Sequence, residues 1–361
     1  MHKPAALMIL NESACSMIYG PDERRDLEEF ITLLDAPHTS QSIRSRPDLL
    51  SRAEVILSGW GGPTLDETFL EAAPKLQAFF YAAGSLSGIL TDAALERHIT
   101  VTSAAQANAV PVAEYTFATI IFSLKHGWRL SRELRKQRVF DPTARDDAPG
   151  CYKRIVGLVS LGAIARKVLQ MLRPMDLSVV VYDPHLSTED AHRLGVTKVD
   201  LAELFRVCDV VSIHTPELPE TEGMINGRLL SSMKSGATFI NTARGKLVRT
   251  DELIAVAAIR TDLQFVLDVV DPEPLPFDSM LYHLDNVMLT PHIAGSAGEE
   301  CRRMGRYMVE EVQRYVSGLP LKYAIKPESI WHTAHRPMSW RTPARTAAVM
   351  SDASAAIAAH A

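Results

Sequence analysis

Short apolar runs of strand length alternate along this chain with helix-length amphipathic segments, a pattern that predicts parallel α/β units. In the first part the strand runs are Ala5–Leu10, Glu54–Ser58, Leu76–Tyr81 and Ile99–Thr102, and helices are predicted over Arg24–Leu34 and Leu65–Ala72. A long helix is predicted over Val110–Gln137, with Pro111 in its first turn, where a missing N–H does no harm. Residues 139–150 are polar, contain two prolines and read as a loop. A second series follows, with strands at Ile155–Val159, Val179–Asp183, Asp209–Ile213, Ala237–Asn241, Phe265–Val269 and Val287–Leu289. A closing helix over Gly298–Val316 then leads the chain back to the first series.

These elements predict a discontinuous first domain, residues 1–105 completed by 300–333, with a second domain of residues 106–299 inserted in it. After Ala334 the chain turns to Arg, Pro, Ser and Ala with little periodicity, so residues 334–361 are expected to form a disordered tail or a surface arm.

Composition narrows the class. At 361 residues the chain is long enough for two buried cores, and 47% hydrophobic with 22% charged residues is ordinary for a soluble globular protein. A net charge of −5 gives no reason to expect nucleic acid or an anionic membrane as partner. Cys15, Cys151, Cys208 and Cys301 are far apart and no histidine is spaced for zinc, so reduced thiols in a cytoplasmic protein are expected and no metal site is. The opening apolar stretch runs into Asn11-Glu12 and reads as a first strand rather than a signal peptide. The apolar helix segment around Phe117–Leu124 is expected to fall short of the ~20 residues that a bilayer span needs.

Three strings hold most of the candidate chemistry: Asn-Thr-Ala-Arg-Gly (241–245), Asp-Pro-Glu-Pro-Leu-Pro (271–276) and Thr-Pro-His-Ile-Ala-Gly (290–295). Each follows a predicted strand, and ligands of open α/β sheets bind beyond the carboxyl ends of strands. Their polar residues are Arg244, Glu273 and His292. Arginine offers a planar fork that binds a carboxylate at two points. An unperturbed imidazole titrates near pH ~6.5 and suits proton transfer. A carboxylate beside it orients the ring, as the third member of a triad orients its base. Taken singly, each has a bland reading as a turn histidine, a surface arginine or a solvated glutamate. Their order, each at a strand end, favours a site for hydride transfer to a small carboxylic acid.

Upstream, Gly157-Leu-Val-Ser-Leu-Gly162-Ala-Ile-Ala165 is a weakened dinucleotide fingerprint between a strand and a helix. Ser160 takes the first glycine position, Gly162 the second and Ala165 the third. Ser160 is the departure, because that position makes a tight turn and favours freedom of φ. Asp183 ends a strand about 20 residues after Gly162, where a carboxylate accepts from an adenosine ribose and repels a 2′-phosphate. It predicts NAD rather than NADP.

With these motifs, and with Ala107-Asn-Ala-Val-Pro-Val-Ala-Glu114, Ser212-Ile-His-Thr-Pro216 and Met233-Lys-Ser-Gly-Ala237, the chain resembles the D-isomer-specific 2-hydroxyacid dehydrogenases, the family of phosphoglycerate dehydrogenase and hydroxypyruvate reductase, over roughly residues 50–333. The resemblance implies two doubly wound parallel-sheet domains, a flavodoxin-like substrate domain and an inserted Rossmann domain for NAD. It implies that Arg244, Glu273 and His292 are catalytic and that Asp268 holds the nicotinamide carboxamide. Ala163, Ile164, Pro216, Thr242, Ala243 and Ala294 match cofactor-lining positions beside Ser160, Gly162 and Asp183. The segment 82–88, with Gly84 and Ser85, takes the place of the loop whose N–H groups grip the substrate carboxylate, although Ser85, Leu86 and Ser87 depart from the family's pattern. Trp60 follows a first-domain strand and is expected to wall the substrate pocket or to pack. His126, placed within the long helix, and His214 are expected to be structural. The long helix and the loop after it imply a homodimer through the second domain.

The resulting expectation is an NAD-dependent D-2-hydroxyacid dehydrogenase acting on a small carboxylate. Two alternatives stand beside it. Ser160 and the altered 82–88 loop suit an NAD(H)-sensing binding protein with vestigial catalysis. A phosphite- or formate-type dehydrogenase is the other, and Glu273 disfavours the formate version, where glutamine is expected.

Overall fold

The computed structural model describes residues 2–326, so the expectations for 334–361 and for the last residues of the 300–333 segment lie outside the described residues. Among the described residues twelve strands form two parallel sheets. The first sheet has β1 (Ala5–Ile9), β2 (Thr32–Leu33), β3 (Val55–Ser58), β4 (Ala78–Tyr81) and β5 (Thr100–Ser103), in the order β2-β1-β3-β4-β5. This is the flavodoxin-like winding. The second sheet has β6 (Ile155–Val159), β7 (Ser178–Tyr182), β8 (Thr197–Lys198), β9 (Val210–Ile213), β10 (Thr238–Asn241), β11 (Gln264–Leu267) and β12 (Val287–Leu289). Its order, β12-β11-β10-β9-β6-β7-β8, reverses direction between β6 and β9, which is the Rossmann switch point.

Strands such as β1, β4 and β6 read as unbroken apolar runs because helices cover both faces of a parallel sheet. Along the first sheet, Met8, Leu57 and Phe80 face one core, while Leu7, Ile56 and Phe79 face the other. The helix Cys301–Val316 closes the first of these cores with Cys301, Met304, Met308 and Val312. In the second sheet, Val211, Phe239 and Phe265 alternate in the same way with Val210, Ile240 and Val266.

Four expectations need correction. The long helix over Val110–Gln137 is two helices, Ala105–Leu124 and Gly127–Gln137, so Pro111 lies inside the first and not in its first turn. The break is at His126, which is left-handed (φ 50°) and so does not lie within a helix. A Cβ at Gly127 would meet the Phe122 ring at 2.5–2.7 Å, and Phe122 packs edge-on against Trp128 with centroids 4.5 Å apart. The apolar helix is also longer than expected, at 20 residues, which is long and apolar enough for a span by length and composition. It is a core helix here: Ala107 packs in the first domain's core, and Ala113, Ile120 and Leu124 pack in the second sheet's. Third, the helix expected over Arg24–Leu34 is Pro21–Glu28, and Thr32–Leu33 is the edge strand β2. Last, the loop 139–150 contains a 3-10 turn, Pro142–Asp147.

Candidate active site

One rung of the second sheet runs across six strands: Tyr182 pairs with Val159, Val159 with Ile213, Ile213 with Asn241, Asn241 with Leu267 and Leu267 with Leu289. Asp183, Ser160, Thr242 and Asp268 each come one residue past this rung, and Arg244 and His292 come three past it. Strand register alone therefore lines the candidate residues along one carboxyl edge. In the first sheet the corresponding rung is Ile9, Ser58, Tyr81 and Ser103, with Trp60 two residues and Gly84 three residues beyond it.

His292 and Glu273 meet: Nδ1 of the imidazole lies 2.7 Å from Glu273 Oε1, and both side chains are about half exposed. The histidine sits in a left-handed turn (φ 54°), its N–H donating to Asp268 O at 2.9 Å. Asp268 holds that turn from below. Its buried carboxylate accepts from Thr290 Oγ1 at 2.6 Å, from Ile293 N at 2.8 Å and from Ala294 N at 2.9 Å. Tyr115, on the Ala105–Leu124 helix, extends this network with its hydroxyl 2.9 Å from Thr290 Oγ1. Burial raises the Tyr115 hydroxyl's pKa above its ordinary value, so the group stays protonated.

Arg244 is set by Asn241, the last residue of β10. Asn241 is buried, accepts from Ala243 N at 3.0 Å and donates from Nδ2 to Arg244 O at 2.9 Å. Thr242 places its hydroxyl 3.0 Å from that of Thr116. Gly245 must be glycine, since a Cβ there would overlap the Val270 carbonyl. This close approach brings the Arg244 loop against the chain leading into Glu273.

The fingerprint turn explains its serine. Ser160 adopts φ 70°, the conformation for which glycine is usual, and its hydroxyl lies 2.9 Å from that of Thr215. Its N–H donates to Tyr182 O at 2.7 Å. Asp183 braces the same turn, accepting from Leu161 N at 2.7 Å and from His185 N at 2.8 Å. Gly162 is the N-cap of helix Ala163–Leu172, in ordinary extended backbone, and a Cβ there would meet nothing within 4 Å. Neither its conformation nor the packing of this chain demands glycine. Ala163 and Ile164 are partly exposed beside it, while Ala243 and Ala294 are buried and Pro216 is exposed. His214 is buried past β9, with Nε2 3.1 Å from Ser212 Oγ and Nδ1 without a partner among the described residues. Burial pushes its pKa down to about 4.

The 84–85 loop approaches this edge through Asn108. Asn108 Oδ1 accepts from Ser296 N at 2.9 Å, and a Cβ at Gly84 would lie 3.5 Å from its Nδ2. Ser103 Oγ donates to the carbonyls of Ala83 and Gly84 at 3.0 and 3.1 Å, while the N–H groups of Gly84, Ser85 and Leu86 bond to no group among the described residues. No cluster of three or more metal-ligating side chains occurs among the described residues. Thr215, Thr290, Asn241 and Asn108 all lie inside the strings singled out from the sequence, yet their supporting roles were not foreseen. Tyr115 lies in a helix and had no signal at all.

The family model for the D-isomer specific 2-hydroxyacid dehydrogenase NAD binding domain matches residues 117–294, the span that carries the second sheet. (S)-sulfolactate dehydrogenase of Chromohalobacter salexigens is 34% identical over 274 residues, 73% of this chain and 87% of that protein. The chain belongs to the D-isomer specific 2-hydroxyacid dehydrogenase family. Within the family, D-3-phosphoglycerate dehydrogenase of Archaeoglobus fulgidus is 30% identical over 270 residues, 74% of this chain and 50% of that protein. The chain thus spans about half the length of the phosphoglycerate dehydrogenases it matches, 50% in this case. D-mandelate dehydrogenase from Rhodotorula graminis shares the fold, with a TM-score of 0.75 and 22% identity, covering 92% of this chain and 100% of that one.

The residues of this family member fit a dinucleotide on two counts. Gly162 leaves open the space a side chain would take at a helix N-terminus, where phosphate binds well. His214 Nδ1 is a buried polar atom in want of a partner beside the switch point.

Proposed function

We propose that this chain is an NAD-dependent D-2-hydroxyacid dehydrogenase that works mainly as a 2-oxo acid reductase. The observation that supports it most is the 2.7 Å pair of His292 Nδ1 and Glu273 Oε1 on the strand edge that also carries Arg244. With Nδ1 engaged by the carboxylate, Nε2 is the nitrogen left to exchange a proton. In reduction, the charged imidazole of His292 donates a proton to the oxygen on C2. In oxidation, the neutral ring takes the hydroxyl proton back. Arg244 binds the substrate carboxylate and polarises the adjacent carbonyl. The free N–H groups of Gly84 and Ser85 supply further donors from the other domain, with Trp60 as a wall.

NAD, when bound, supplies or accepts the hydride. Ser160, Gly162, Ala163, Ile164, Pro216, Thr242, Ala243, Asp268 and Ala294 would hold it, and Asp183 would accept from its ribose and repel the 2′-phosphate of NADPH. Asp268 retains acceptor capacity on Oδ2, which takes a single bond from Ala294. The substrate domain is residues 1–105 completed by 300–333, and the cofactor domain is 106–299. All four cysteines are free thiols, in keeping with a cytoplasmic enzyme. Phe140 and Tyr152, 82% and 64% exposed near the Gly127–Gln137 helix, support a homodimer through the cofactor domain.

The test is loss of reduced-nicotinamide absorbance with purified protein and a panel of 2-oxo acids, with NADPH in parallel. Turnover with NADH supports the reading. Tight NADH binding with no turnover of any acid overturns it in favour of a sensing role.

A further inference from the structure

Four of the five loops at the carboxyl edge of the first sheet carry no cation. The chain leaving β1, β3, β4 and β5, residues 10–13, 59–64, 82–88 and 104–108, contains no lysine, arginine or histidine, and Glu12 is its one charged residue. The chain leaving β2 brings His38 beside Ile9 on the same rung; its ring nitrogens lie 3.3 Å from Ser42 and from Asp35, and Arg46 is bonded to Asp35 and Asp48. Arg244 and His292, the two basic side chains of the proposed chemistry, both belong to the opposite domain. In the proposed chemistry these are committed to one carboxylate and one carbonyl oxygen. A second anion on the substrate would enter a closing, water-poor cleft against four loops that offer it no lysine, arginine or histidine. An unpaired charge in such a place is strongly disfavoured.

Trp60 stands on one of these loops. It is partly buried and packs against both cores of the first sheet, so its indole lies across the strand ends rather than on one face. Its loop has no room for other side chains. A Cβ at Gly59 would lie 2.9 Å from Ile18 Cδ1 and 3.1 Å from Leu10 Cδ1, and one at Gly62 would overlap Ser58 Oγ. Gly61 is left-handed (φ 76°) against Asn11. Trp60 is the one long side chain that this turn can project. Gly59 approaches Ala82 O, so the turn adjoins the 82–88 loop, which Asn108 links to Ser296 and the His292 loop.

The geometry points to a substrate whose group beyond C2 is uncharged and large, aryl or branched alkyl, with Trp60 as the residue that selects it. This inference rests on the dehydrogenase reading. It separates the chain from relatives named for phosphoglycerate and sulfolactate, whose substrates carry a second anion.

The experiment compares kcat/KM of the full chain with NADH on phenylpyruvate, 4-methyl-2-oxopentanoate, pyruvate, 3-sulfopyruvate and 3-phosphohydroxypyruvate. The two bulky neutral acids are expected to exceed the doubly anionic pair by at least ~100-fold, within reach of a pocket lacking the matching charge. In Trp60→Ala the ratio of phenylpyruvate to pyruvate is expected to fall about tenfold or more, while Trp60→Phe keeps most of it. Equal or better use of 3-sulfopyruvate or 3-phosphohydroxypyruvate overturns the inference, as does an unchanged ratio in Trp60→Ala. Calorimetric titration of NADH-loaded protein with the same acids separates the two readings. Phenylpyruvate bound tightly but never reduced overturns the dehydrogenase and keeps the neutral pocket. Tighter binding of 3-phosphohydroxypyruvate overturns the pocket.

Discussion

Asn108 accepts the backbone N–H of Ser296 through Oδ1 at 2.9 Å, and this bond joins the helix that crosses between the domains to the loop carrying His292. The same side chain lies against Gly84 and Gly295. Asn108 thus couples the loop that would grip the substrate carboxylate to the loop that would deliver the proton. Asn108→Ala removes the acceptor and leaves both loops folded. We expect KM for a 2-oxo acid to rise about tenfold, near the ~1–1.5 kcal/mol of one hydrogen bond, with a smaller change in the Kd of NADH. Steady-state kinetics and a fluorescence titration of NADH check the split.

The Glu273 carboxylate holds one ring nitrogen of His292 and so selects which nitrogen faces the substrate. Glu273→Gln keeps the shape and removes the charge. The expected outcome is a fall in kcat on the order of 10²-fold, and His292→Ala is expected to lose about 10²–10⁴-fold, in the range of a general acid. NADH binding is expected to persist in both. Unchanged turnover in His292→Ala, measured by single-turnover reduction, would sink the proposed proton path.

Gly162 tests the cofactor site. Since a Cβ there meets nothing within 4 Å, Gly162→Ala should alter stability by about 1 kcal/mol or less, the cost of a poorer helix N-cap. NADH affinity should nevertheless fall steeply, because the methyl group occupies the approach to phosphate. Urea unfolding together with NADH titration distinguishes this from general damage. Ser160→Gly should bind NADH within a few-fold of the parent, since the serine already adopts the glycine conformation at φ 70°.

Asp268 is expected to matter most for the loop. Its carboxylate accepts two N–H groups and one hydroxyl, all on residues 290–294. Asp268→Asn places amide hydrogens against one of those donors and should lower stability by roughly 2–3 kcal/mol, the scale for bonds to a charged group. Tyr115→Phe, which removes the outer bond to Thr290, should cost about 0.5–1.5 kcal/mol. Chemical denaturation of both variants checks the order.

His214 makes the fold sensitive to acid. Its pKa is about 4 in the folded chain because burial disfavours the charged ring, against 6.5 in its ordinary state. The unfolded chain therefore binds more protons between these values, and stability falls as pH drops from about 6.5 toward 4. The loss at the acid end is of order 3 kcal/mol. Thermal midpoints between pH ~7 and ~5, compared with those of His214→Gln, should show a shallower acid slope in the variant.

Much of the architecture follows from local pattern. Apolar runs such as Ala5–Ile9 and Ala78–Tyr81 are unbroken because both faces of a parallel strand are covered, and this pattern is visible in one dimension. The edge strands Thr32–Leu33 and Thr197–Lys198 were not visible, since two mostly exposed residues carry no period. The break at His126 was hidden for another reason. The segment is helix-like on both sides, and the close approach of Gly127 to the Phe122 ring exists only in the folded chain.

The candidate site divides along the same line. By itself the sequence determined the residue types and their places after strands: Arg244, Glu273, His292, Asp183 and the Ser160–Ala165 turn, together with the order of elements that makes two wound sheets. Register and long-range bonds were decided by the tertiary structure. It aligned six strand ends on one rung, set Glu273 against His292 and gave Ser160 its partner in Thr215, 55 residues away. It also packed Trp60 against both cores of the first sheet. Hydrophobic period is a property of neighbouring residues, whereas a hydrogen bond between distant loops exists only after both sheets have packed.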